Sequence, residues 1–542
     1  MNRAAKAEER EKGGRSRLPM NALLAAASAA LFWLSFPPVD AGWAAWVALV
    51  PWLVLVRRCS PKKAVLWSAA AGAVAFVALL HWIRFVTFLG WIPLALYCAA
   101  YWPAAALLMG FLRRRNIAFT WAVPLVVVVM EFIRGRLMTG FPFFFLGHSQ
   151  HAVLPLIQVA DLTGVFGVTF LVAMVNGFIA ERIEGGFKSR RTTLIEGGAT
   201  ALVLAAILGY GILRLETIKT APGPKVCLVQ ANIPISLKHT LKLNETLQTL
   251  RDHVELTREA AKPDTNIVIW AETMMPAPMN HLGDEDWIAS LLTRKEENYR
   301  QYGSFLVESE KLLREALDAA KTHMLIGAET RERKRYNSAY LLAPDGGIIG
   351  RYDKMHLVVF GEYTPLTNVF PFVKRLRPAE MGGDLAPGRF AALLRLPSGA
   401  DASTKFGVTI CYEDAEPRVF RRFVRYGARF MVNITNDGWF KDSSELDHHL
   451  HVCAFRAVEN RVPIARCANT GISALIEPTG RIAEHIADSA GNRRAVKGTL
   501  TGRLAMTDAR AAYTRIGDVF AWLSIFALTA VTLYAGFRKT PS

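Results

Sequence analysis

The chain has 542 residues, of which 52% are hydrophobic, and it carries a formal net charge of +18. Its length and its mean hydropathy of +0.21 exclude a single small soluble domain. The positive charge does not indicate nucleic acid binding, because the basic residues form clusters beside long apolar runs.

Long apolar runs fill the first 213 residues, and one more lies near the C-terminus. Because a bilayer core is crossed by roughly 20 apolar residues, we predict eight membrane-spanning helices. They lie at 18–36, 42–56, 64–83, 88–112, 117–133, 163–181, 194–213 and 516–536. The first run follows a basic tail without a clear small-residue cleavage site, so we expect it to be retained. The apolar segment 141–146 is too short to cross and is predicted to be interfacial or re-entrant.

The basic residues indicate the orientation of these helices. They cluster at Arg3, Lys6, Arg10, Lys12, Arg15 and Arg17, at Arg57, Arg58, Lys62 and Lys63, at Arg113, Arg114 and Arg115, at Lys188, Arg190 and Arg191, and at Arg538 and Lys539. With eight spans, every cluster falls on the same side, and the positive-inside rule makes that side cytoplasmic. Both termini are then cytoplasmic, and residues 214–515 lie outside. Arg134, near the outer end of its span, is expected to snorkel toward the membrane surface or to contact lipid phosphates.

Residues 222–512 alternate between strand and helix patterns, which predicts one α/β domain. Strands are predicted at 225–229, 266–270, 324–327, 406–410, 430–434 and 462–465, helices near 243–261, 308–321, 415–427 and 446–459, and hairpins at 340–350 and 474–482. Residues 280–307 and 357–390 have no clear period, and we predict irregular loops there. Such loops act as lids, dip into lipid, or pack on their own domain.

Three polar residues end or follow predicted strands of this domain, namely Glu272, Lys354 and Cys411. A cysteine is a good nucleophile only as its thiolate, so it needs a base nearby. Glu272 can take the thiol proton, and Lys354 can stabilise the negative charge of the thiolate or of a tetrahedral oxyanion. Taken alone, Cys411 is better explained as an inert buried thiol, the usual state of a lone cysteine.

The motifs around these residues resemble the three signature blocks of the nitrilase superfamily. They are Ile-Val-Ile-Trp-Ala-Glu-Thr at 267–273, Tyr-Asp-Lys-Met-His-Leu at 352–357 with Phe-Gly-Glu-Tyr at 360–363, and Ile-Cys-Tyr-Glu at 410–413. Residues 436–440 and 456–461 also look like that superfamily. With seven predicted spans before the domain and one after it, the chain resembles the membrane branch, the bacterial apolipoprotein N-acyltransferases.

The resemblance implies a polytopic α-helical membrane protein with eight transmembrane helices that carries a nitrilase-like αββα sandwich. The expected domains are a cytoplasmic basic tail at 1–17, a seven-helix transmembrane domain at 18–213, a catalytic domain at 222–512 and a C-terminal transmembrane helix at 516–536. It also implies a catalytic triad of Glu272, Lys354 and Cys411.

The resemblance implies supporting roles for Glu362, Tyr412 and Glu413. The chain departs from the family pattern at one position. His239 follows Pro-Ile-Ser-Leu-Lys at 234–238, where the family often has tryptophan. An aromatic stacking role is therefore not expected at this position.

The implied activity is transfer of a fatty acyl chain from a membrane phospholipid, through a cysteine thioester, to the N-terminal amine of a diacylglyceryl-cysteine on an apolipoprotein. The implied location is the inner membrane, with a periplasmic catalytic domain. The expected partners are these two substrates, without nucleic acid, and the expected oligomeric state is a monomer. We expect no cofactor and no metal, because no acidic or cysteine ligand is spaced to complete a site with His448, His449 and His451.

Two other functions remain open from the sequence. A membrane-anchored nitrilase-type amidohydrolase would use the same triad with water as acceptor. A transporter or receptor would carry a degenerate domain, although the spans lack the central charges that transport usually requires. The six cysteines show no metal spacing. Cys453 and Cys467 are expected to be buried free thiols, with a disulfide as the alternative.

Overall fold

The computed structural model describes residues 3–185, 189–234, 243–365, 367, 383–397 and 403–537, with side chains from residue 19 onward except those of 184 and 185. The chain divides into two compact units, residues 1–215 with 518–542 and residues 216–517. His239, the departure from the family pattern, lies outside the described residues, as do residues 366 and 368–382 of the predicted loop 357–390.

The first unit is helical. Its helices are Arg3–Leu34, Val50–Arg58, Pro61–Leu79, Phe88–Ala99, Tyr101–Arg114, Phe119–Arg134, Leu154–Ile157, Ala160–Thr163, Val165–Gly185, Arg190–Thr217 and Val519–Phe537. Short 3-10 turns lie at Gly42–Trp46, His81–Phe85, Leu137–Thr139 and Leu146–Gln150. The long apolar runs of the sequence therefore form helices, as a bilayer requires of a spanning segment.

Among the described residues, five helices are long and apolar enough to cross a membrane. They are Pro61–Leu79, Phe88–Arg114, Val165–Ile183, Arg190–Thr217 and Val519–Phe537. This finding is consistent with a membrane protein, and the count of eight spans stays a prediction.

The other three predicted spans are shorter in the structure. Two of them coincide with the apolar helix Pro19–Leu34 and with Phe119–Arg134. The remaining one, residues 42–56, is not a continuous helix, because it is divided between the turn Gly42–Trp46 and the helix Val50–Arg58.

The segment 141–146 is buried within the first unit. Arg134 donates to the carbonyl oxygen of Phe143 at 2.6 Å, and the Glu131 carboxylate accepts the backbone N–H of Leu146 at 2.6 Å. Arg134 is only 3% exposed. The expectation that Arg134 snorkels to the surface is therefore wrong. Its guanidinium donates hydrogen bonds to backbone carbonyl oxygens of a non-helical segment. Lipid could not supply such donors.

The second unit is built from strands and helices in alternation. Its strands are β1 (Ala221–Gln230), β2 (Ile267–Trp270), β3 (His323–Arg331), β4 (Arg335–Leu342), β5 (Ile348–Asp353), β6 (Leu394–Pro397), β7 (Ser403–Ile410), β8 (Phe430–Thr435), β9 (Ile464–Ala468), β10 (Ala474–Ile476), β11 (Ile482–His485) and β12 (Gly498–Met506). Its helices are Leu243–Ala260, Glu285–Leu292, Glu297–Ala320, Pro417–Arg425, Glu445–Asn460 and Ala512–Ile516, with 3-10 turns at Met279–His281, Cys411–Asp414 and Asp437–Phe440.

The described strands form two six-stranded sheets, in the orders β12-β1-β2-β3-β4-β5 and β11-β10-β9-β8-β7-β6. In each sheet three central strands are parallel, β1 to β3 and β7 to β9. The sheets pack face to face, with β1 and β2 against β9 and β4 against β7. Helices Leu243–Ala260 and Glu297–Ala320 cover the first sheet, and Pro417–Arg425 covers the second. The predicted αββα sandwich is confirmed.

All six predicted strands are confirmed, but the domain has more structure than the sequence indicated. Residues 280–307 were expected to be an irregular loop, and this prediction is wrong because Glu285–Leu292 and Glu297–Ala320 are helices. Tyr302 and Phe305 of the second helix stack with ring centroids 6.1 Å apart. The aromatic residues of this region therefore lie on helices, where residues three or four positions apart are neighbours on one face.

Candidate active site

The candidate nucleophile follows strand β7, whose last five residues are buried. Cys411 has a φ of +52° and begins the short 3-10 turn Cys411–Asp414. A positive φ in a residue other than glycine costs on the order of 1–3 kcal/mol and persists only where surrounding contacts hold it. One such contact is the Asn433 side-chain amide, which donates to the Cys411 carbonyl oxygen at 3.3 Å. The thiol-bearing residue is therefore set on a tight turn at the end of a buried strand.

The candidate base lies just beyond the end of β2 in the other sheet. Glu272 is 7% exposed, and its carboxylate accepts the Asn337 Nδ2–H at 2.7 Å and the Asn436 backbone N–H at 2.8 Å. Two donors on an anionic carboxylate hold it in one orientation. A base in a fixed position is what proton transfer to or from a nearby nucleophile requires.

Lys354 directly follows β5 and is 1% exposed. Its Nζ lies 2.9 Å from Glu362 Oε1 and 3.7 Å from Glu272 Oε1. Burial alone would lower the pKa of Lys354, but the carboxylates of Glu362 and Glu272 raise it well above its usual value. The ammonium group is therefore a permanent positive charge between two carboxylates.

Glu362 is the second carboxylate beside Lys354, and Asn337 links Glu362 to Glu272. Glu362 accepts the Asn337 Nδ2–H at 3.0 Å and the Val358 backbone N–H at 2.9 Å. One side-chain amide thus bonds the two carboxylates on either side of Lys354. Asn337 was not identified from the sequence. Its only signal is a polar side chain, 5% exposed, within strand β4.

Glu413 clamps the Lys354 segment to the turn of Cys411. Its carboxylate is fully buried and accepts the Tyr352 hydroxyl at 2.8 Å, the Met355 and His356 N–H groups at 2.7 and 2.9 Å, and the Ile410 N–H at 2.9 Å. Burial raises the pKa of Glu413 to about 7, while these donors favour the charged form. Its contacts are those of a structural bridge between β5 and β7.

Replacing Glu413 by glutamine is expected to destabilise the second unit by roughly 2–3 kcal/mol. The new amide N–H₂ group would face backbone N–H donors, so at least one buried donor loses its acceptor. The measurement is the midpoint of thermal unfolding of the full chain in detergent. Glu484→Gln, at an exposed position on β11, is the control and should leave the midpoint unchanged. An equal midpoint for the two variants would contradict the bridging role.

Tyr412 lies between Cys411 and Glu413 and is half-buried. Its ring stacks on His356, with centroids 5.9 Å apart and an interplanar angle of 23°. Burial lowers the pKa of His356, so the imidazole is neutral at pH 7. The Tyr412 side chain thus packs on the segment that carries Lys354.

The thiol of Cys411 is protonated at neutral pH. Burial raises its pKa well above the ordinary value, the charge of Glu272 raises it further, and the charge of Lys354 lowers it. A thiol of this kind attacks a carbonyl only when a base removes its proton during the attack. Glu272 is the anion with the largest effect on the thiol, which is consistent with that task.

His449, one of the three histidines of helix Glu445–Asn460, has acidic neighbours that the sequence did not indicate. The fold brings Asp437 and Glu445 to His449, with one possible ligand atom from each within 4.8 Å of the others. The expectation that no acidic ligand is spaced to complete a site with these histidines is therefore wrong at His449. The Arg466 guanidinium donates to Asp437 Oδ2 at 2.9 Å and lies 3.0 Å from His449 Nδ1. The positive charge that faces these carboxylates is thus an arginine.

The described cysteines, which include all six of the chain, are free thiols. Cys453 and Cys467 are both buried, so the expectation of free thiols is confirmed and the disulfide alternative is wrong.

The site combines a thiol, a carboxylate and an ammonium group at the strand ends of a two-sheet α/β sandwich, an arrangement suited to acyl transfer. Residues 225–513 match the family model described as carbon-nitrogen hydrolase, and residues 28–178 match the model described as apolipoprotein N-acyltransferase N-terminal domain. The second unit is therefore a nitrilase-like carbon–nitrogen hydrolase domain.

Curated relatives match over nearly the whole chain. The apolipoprotein N-acyltransferase of Geobacter metallireducens is 34% identical over 539 residues, which is 96% of this chain and 96% of that protein. The apolipoprotein N-acyltransferase of Rhodopseudomonas palustris is 27% identical over 549 residues, covering 96% of this chain and 95% of that protein. The chain belongs to the apolipoprotein N-acyltransferase family.

Similar solved structures come from the nitrilase superfamily. Nit3 of Saccharomyces cerevisiae is 19% identical with a TM-score of 0.33, covering 53% of this chain and 91% of its own. An amidase from Nesterenkonia sp. is 16% identical with a TM-score of 0.36, covering 55% of this chain and 98% of its own.

Proposed function

We propose that this protein is a phospholipid:apolipoprotein N-acyltransferase that completes lipoprotein maturation by a two-step reaction at Cys411. The observation that carries the proposal is the buried Lys354 ammonium between the carboxylates of Glu272 and Glu362, beside a protonated thiol. The activity named for the curated relatives over 96% of the chain supports the choice of substrates.

In the first half-reaction, Cys411 Sγ attacks the ester carbonyl of a membrane phospholipid while Glu272 takes the thiol proton. The Lys354 ammonium and the Tyr412 backbone N–H stabilise the tetrahedral oxyanion. The C–O bond breaks, the proton passes from Glu272 to the leaving alkoxide, and a lysophospholipid departs. The acyl chain stays on Cys411 as a thioester.

In the second half-reaction, the neutral α-amine of a diacylglyceryl-cysteine attacks the thioester. Glu272 accepts a proton from the amine and returns it to the cysteine sulfur as the C–S bond breaks. The products are an amide and the free thiol. Glu362, Tyr412 and Glu413 take no proton in this scheme, since their contacts orient Lys354 and the turn that carries the thiol.

The predicted membrane frame is part of the proposal. It comprises a basic tail at 1–17, seven spans within 18–213, the catalytic domain at 222–512 and one span at 516–536, in an inner membrane with both termini cytoplasmic and the catalytic domain periplasmic. Both substrates and the thioester carry long acyl chains. A catalytic domain joined to membrane helices at both ends of its sequence can draw such molecules from the bilayer, where they concentrate.

The proposal is tested by intact-mass measurement of the purified protein mixed with a phospholipid of defined acyl chains. One acyl mass is expected, located at Cys411 by peptide mapping and lost on addition of a diacylated N-terminal lipopeptide, which gains it as an amide. An adduct at another residue would contradict the mechanism. Release of free fatty acid without amide formation would instead support the amidohydrolase alternative, with water as acceptor.

Replacing Lys354 by methionine is expected to slow formation of the acyl-enzyme by about 10²–10³-fold, the usual cost of losing one preorganised oxyanion donor. Two carboxylates would also be left together without a cation. The measurement is the single-turnover rate of acyl-enzyme formation. Lys405→Met, on the β7 strand that leads to Cys411, is the matched control. An unchanged rate in Lys354→Met would exclude Lys354 from the chemistry.

A further inference from the structure

A buried ionic cluster lies behind the turn of Cys411, and the two-step reaction does not use it. We define the Arg466 cluster as Arg466, Asp414, Asp437, His449 and Glu445. All five residues are 2% exposed or less. Arg466 Nη1 donates to Asp414 Oδ2 at 2.8 Å, and Nη2 donates to Asp437 Oδ2 at 2.9 Å. One guanidinium fork thus joins two carboxylates that are 23 positions apart in the sequence.

On one side, the Arg466 cluster contacts the turn that carries the proposed nucleophile. Asp414 is the last residue of the 3-10 turn that begins at Cys411, so the position of its carboxylate fixes that turn. Arg466 Nη1 also donates to Asn433 Oδ1 at 2.7 Å, and Asn433 in turn donates to the Cys411 carbonyl oxygen. Arg466 therefore holds Asn433, which contacts the strained backbone of Cys411, and Asp414, which ends the same turn.

On its other side, the Arg466 cluster adjoins the segment that contacts the proposed base, Glu272. Asp437 directly follows Asn436, whose backbone N–H donates to Glu272 Oε2 at 2.8 Å. Asp437 also accepts the hydroxyl of Thr435, the last residue of β8, at 2.6 Å. Loss of Arg466 would remove one of the contacts that hold the segment next to Asn436, the residue that orients the carboxylate of Glu272.

The cluster also sets the charge near the thiol. Burial is the largest cause of the raised pKa of Cys411, the charges of Glu272, Asp437 and Glu362 raise it further, and the charge of Lys354 lowers it. Burial alone would raise the pKa of Asp437, but His449 and Arg466 hold it at about 2, so this carboxylate is always charged. The charged and titratable groups that face Arg466 are Asp437, Asp414, Cys453, Glu445 and His449.

We propose that Arg466 is a positioning residue of the acyl-transfer site, which fixes the Cys411 turn and the Glu272 carboxylate together and screens the thiol from Asp437. This inference rests on the proposed role of Cys411 as nucleophile. Arg466 lies in strand β9 and contacts none of the proposed reacting groups directly. It nevertheless controls the positions of both the nucleophile and its base.

The test is the pH dependence of Cys411 alkylation by iodoacetamide in the full chain in detergent, with Cys411→Ala subtracted as background. Arg466→Gln leaves Asp437 unscreened, so the alkylation profile should shift to higher pH by about one unit, which is about a tenfold lower rate below the pKa. Asp437→Asn removes the anion itself and should shift the profile to lower pH. Arg466→Lys, which keeps the charge but not the fork, should lie between Arg466→Gln and the wild type.

The opposite signs separate this role from a merely structural one, because both variants break the same ion pair and damage to the fold would move both profiles the same way. Arg456→Lys is the matched control, since Arg456 is equally buried and bonds Glu459 at 2.9 Å. Equal or same-direction shifts in Arg466→Gln and Asp437→Asn would overturn the inference. If Arg466→Gln does not fold, Arg466→Lys and Asp437→Asn still test the inference, because it requires their alkylation profiles to shift in opposite directions.

Alkylation does not depend on acyl transfer, so the two hypotheses fail separately. Transfer that survives Cys411→Ala would overturn the proposed function, whatever the alkylation profiles show. Acylation at Cys411 combined with unshifted profiles would overturn only the role of Arg466.

Discussion

Cys411→Ala is expected to lose the acyl-enzyme completely and to lower kcat/KM for transfer by at least about 10⁴-fold, the scale seen when a covalent nucleophile is removed. Alanine lacks the sulfur atom that carries the thioester in the proposed mechanism. It has the same Cβ at the same positive φ, so the backbone strain of the turn is not relieved or increased. The measurements are the intact mass after mixing with phospholipid and the rate of lipopeptide acylation.

A second buried thiol provides the control for this prediction. Cys227 lies in β1 and is fully buried, so Cys227→Ala removes a sulfur atom from the same domain without touching the site. This variant should form the adduct at the wild-type rate. Persistent acylation of Cys411→Ala, at any residue, would show that the thioester is not an intermediate.

The fold was predictable wherever apolar runs were continuous. The buried strands β2, β7 and β8 are short runs of branched and aromatic residues, and each was predicted within a few positions. Strand β12, Gly498–Met506, was not predicted, because glycine and threonine interrupt its pattern and it is specified by antiparallel pairing to β1. Within 280–307, Glu285–Leu292 was missed because eight residues are too few to show a helical period. The start of Glu297–Ala320 was missed because its apolar residues cover only one face of an otherwise polar segment.

The candidate site was predictable to the extent that its residues sit in motifs. Glu272, Lys354, Glu362 and Cys411 each follow a strand or a turn with a recognisable sequence, and the fold places the Lys354 ammonium 3.7 Å or less from both carboxylates. Asn337 and Arg466 have no such context, because each is a polar residue inside a strand and not at its end. Their importance comes from contacts with residues 25 to 65 positions away, which no local pattern records.

Glu272→Gln is the second variant with a large expected effect. Glutamine has nearly the same shape but cannot accept a proton at neutral pH, so formation of the acyl-enzyme should slow by about 10³–10⁴-fold. Its amide N–H₂ group would also face the donors of Asn337 and Asn436, which now hold the carboxylate. The single-turnover rate of acylation measures the first half-reaction, and the rate of amide formation from isolated acyl-enzyme measures the second.

Both rates should fall, because in the proposed mechanism the same carboxylate takes the proton from the thiol in one half-reaction and from the amine in the other. A fall in the first rate alone would mean that another group, such as Glu362, deprotonates the amine. Glu329→Gln, on β3 of the same sheet, is the matched control, since Glu329 pairs with Arg331 at 3.1 Å and lies outside the proposed chemistry.

Alkylation of Cys411 in Glu272→Gln separates loss of the base from loss of the fold. The negative charge of Glu272 raises the pKa of the thiol, so its removal should lower that pKa and shift the alkylation profile to lower pH. The thiol would thus ionise more readily while acyl transfer nearly stops. A distorted site would show both reactions slowed. Faster alkylation with slower acylation has one physical reading, namely that the rate of acyl transfer is limited by proton transfer through Glu272 and not by the supply of thiolate.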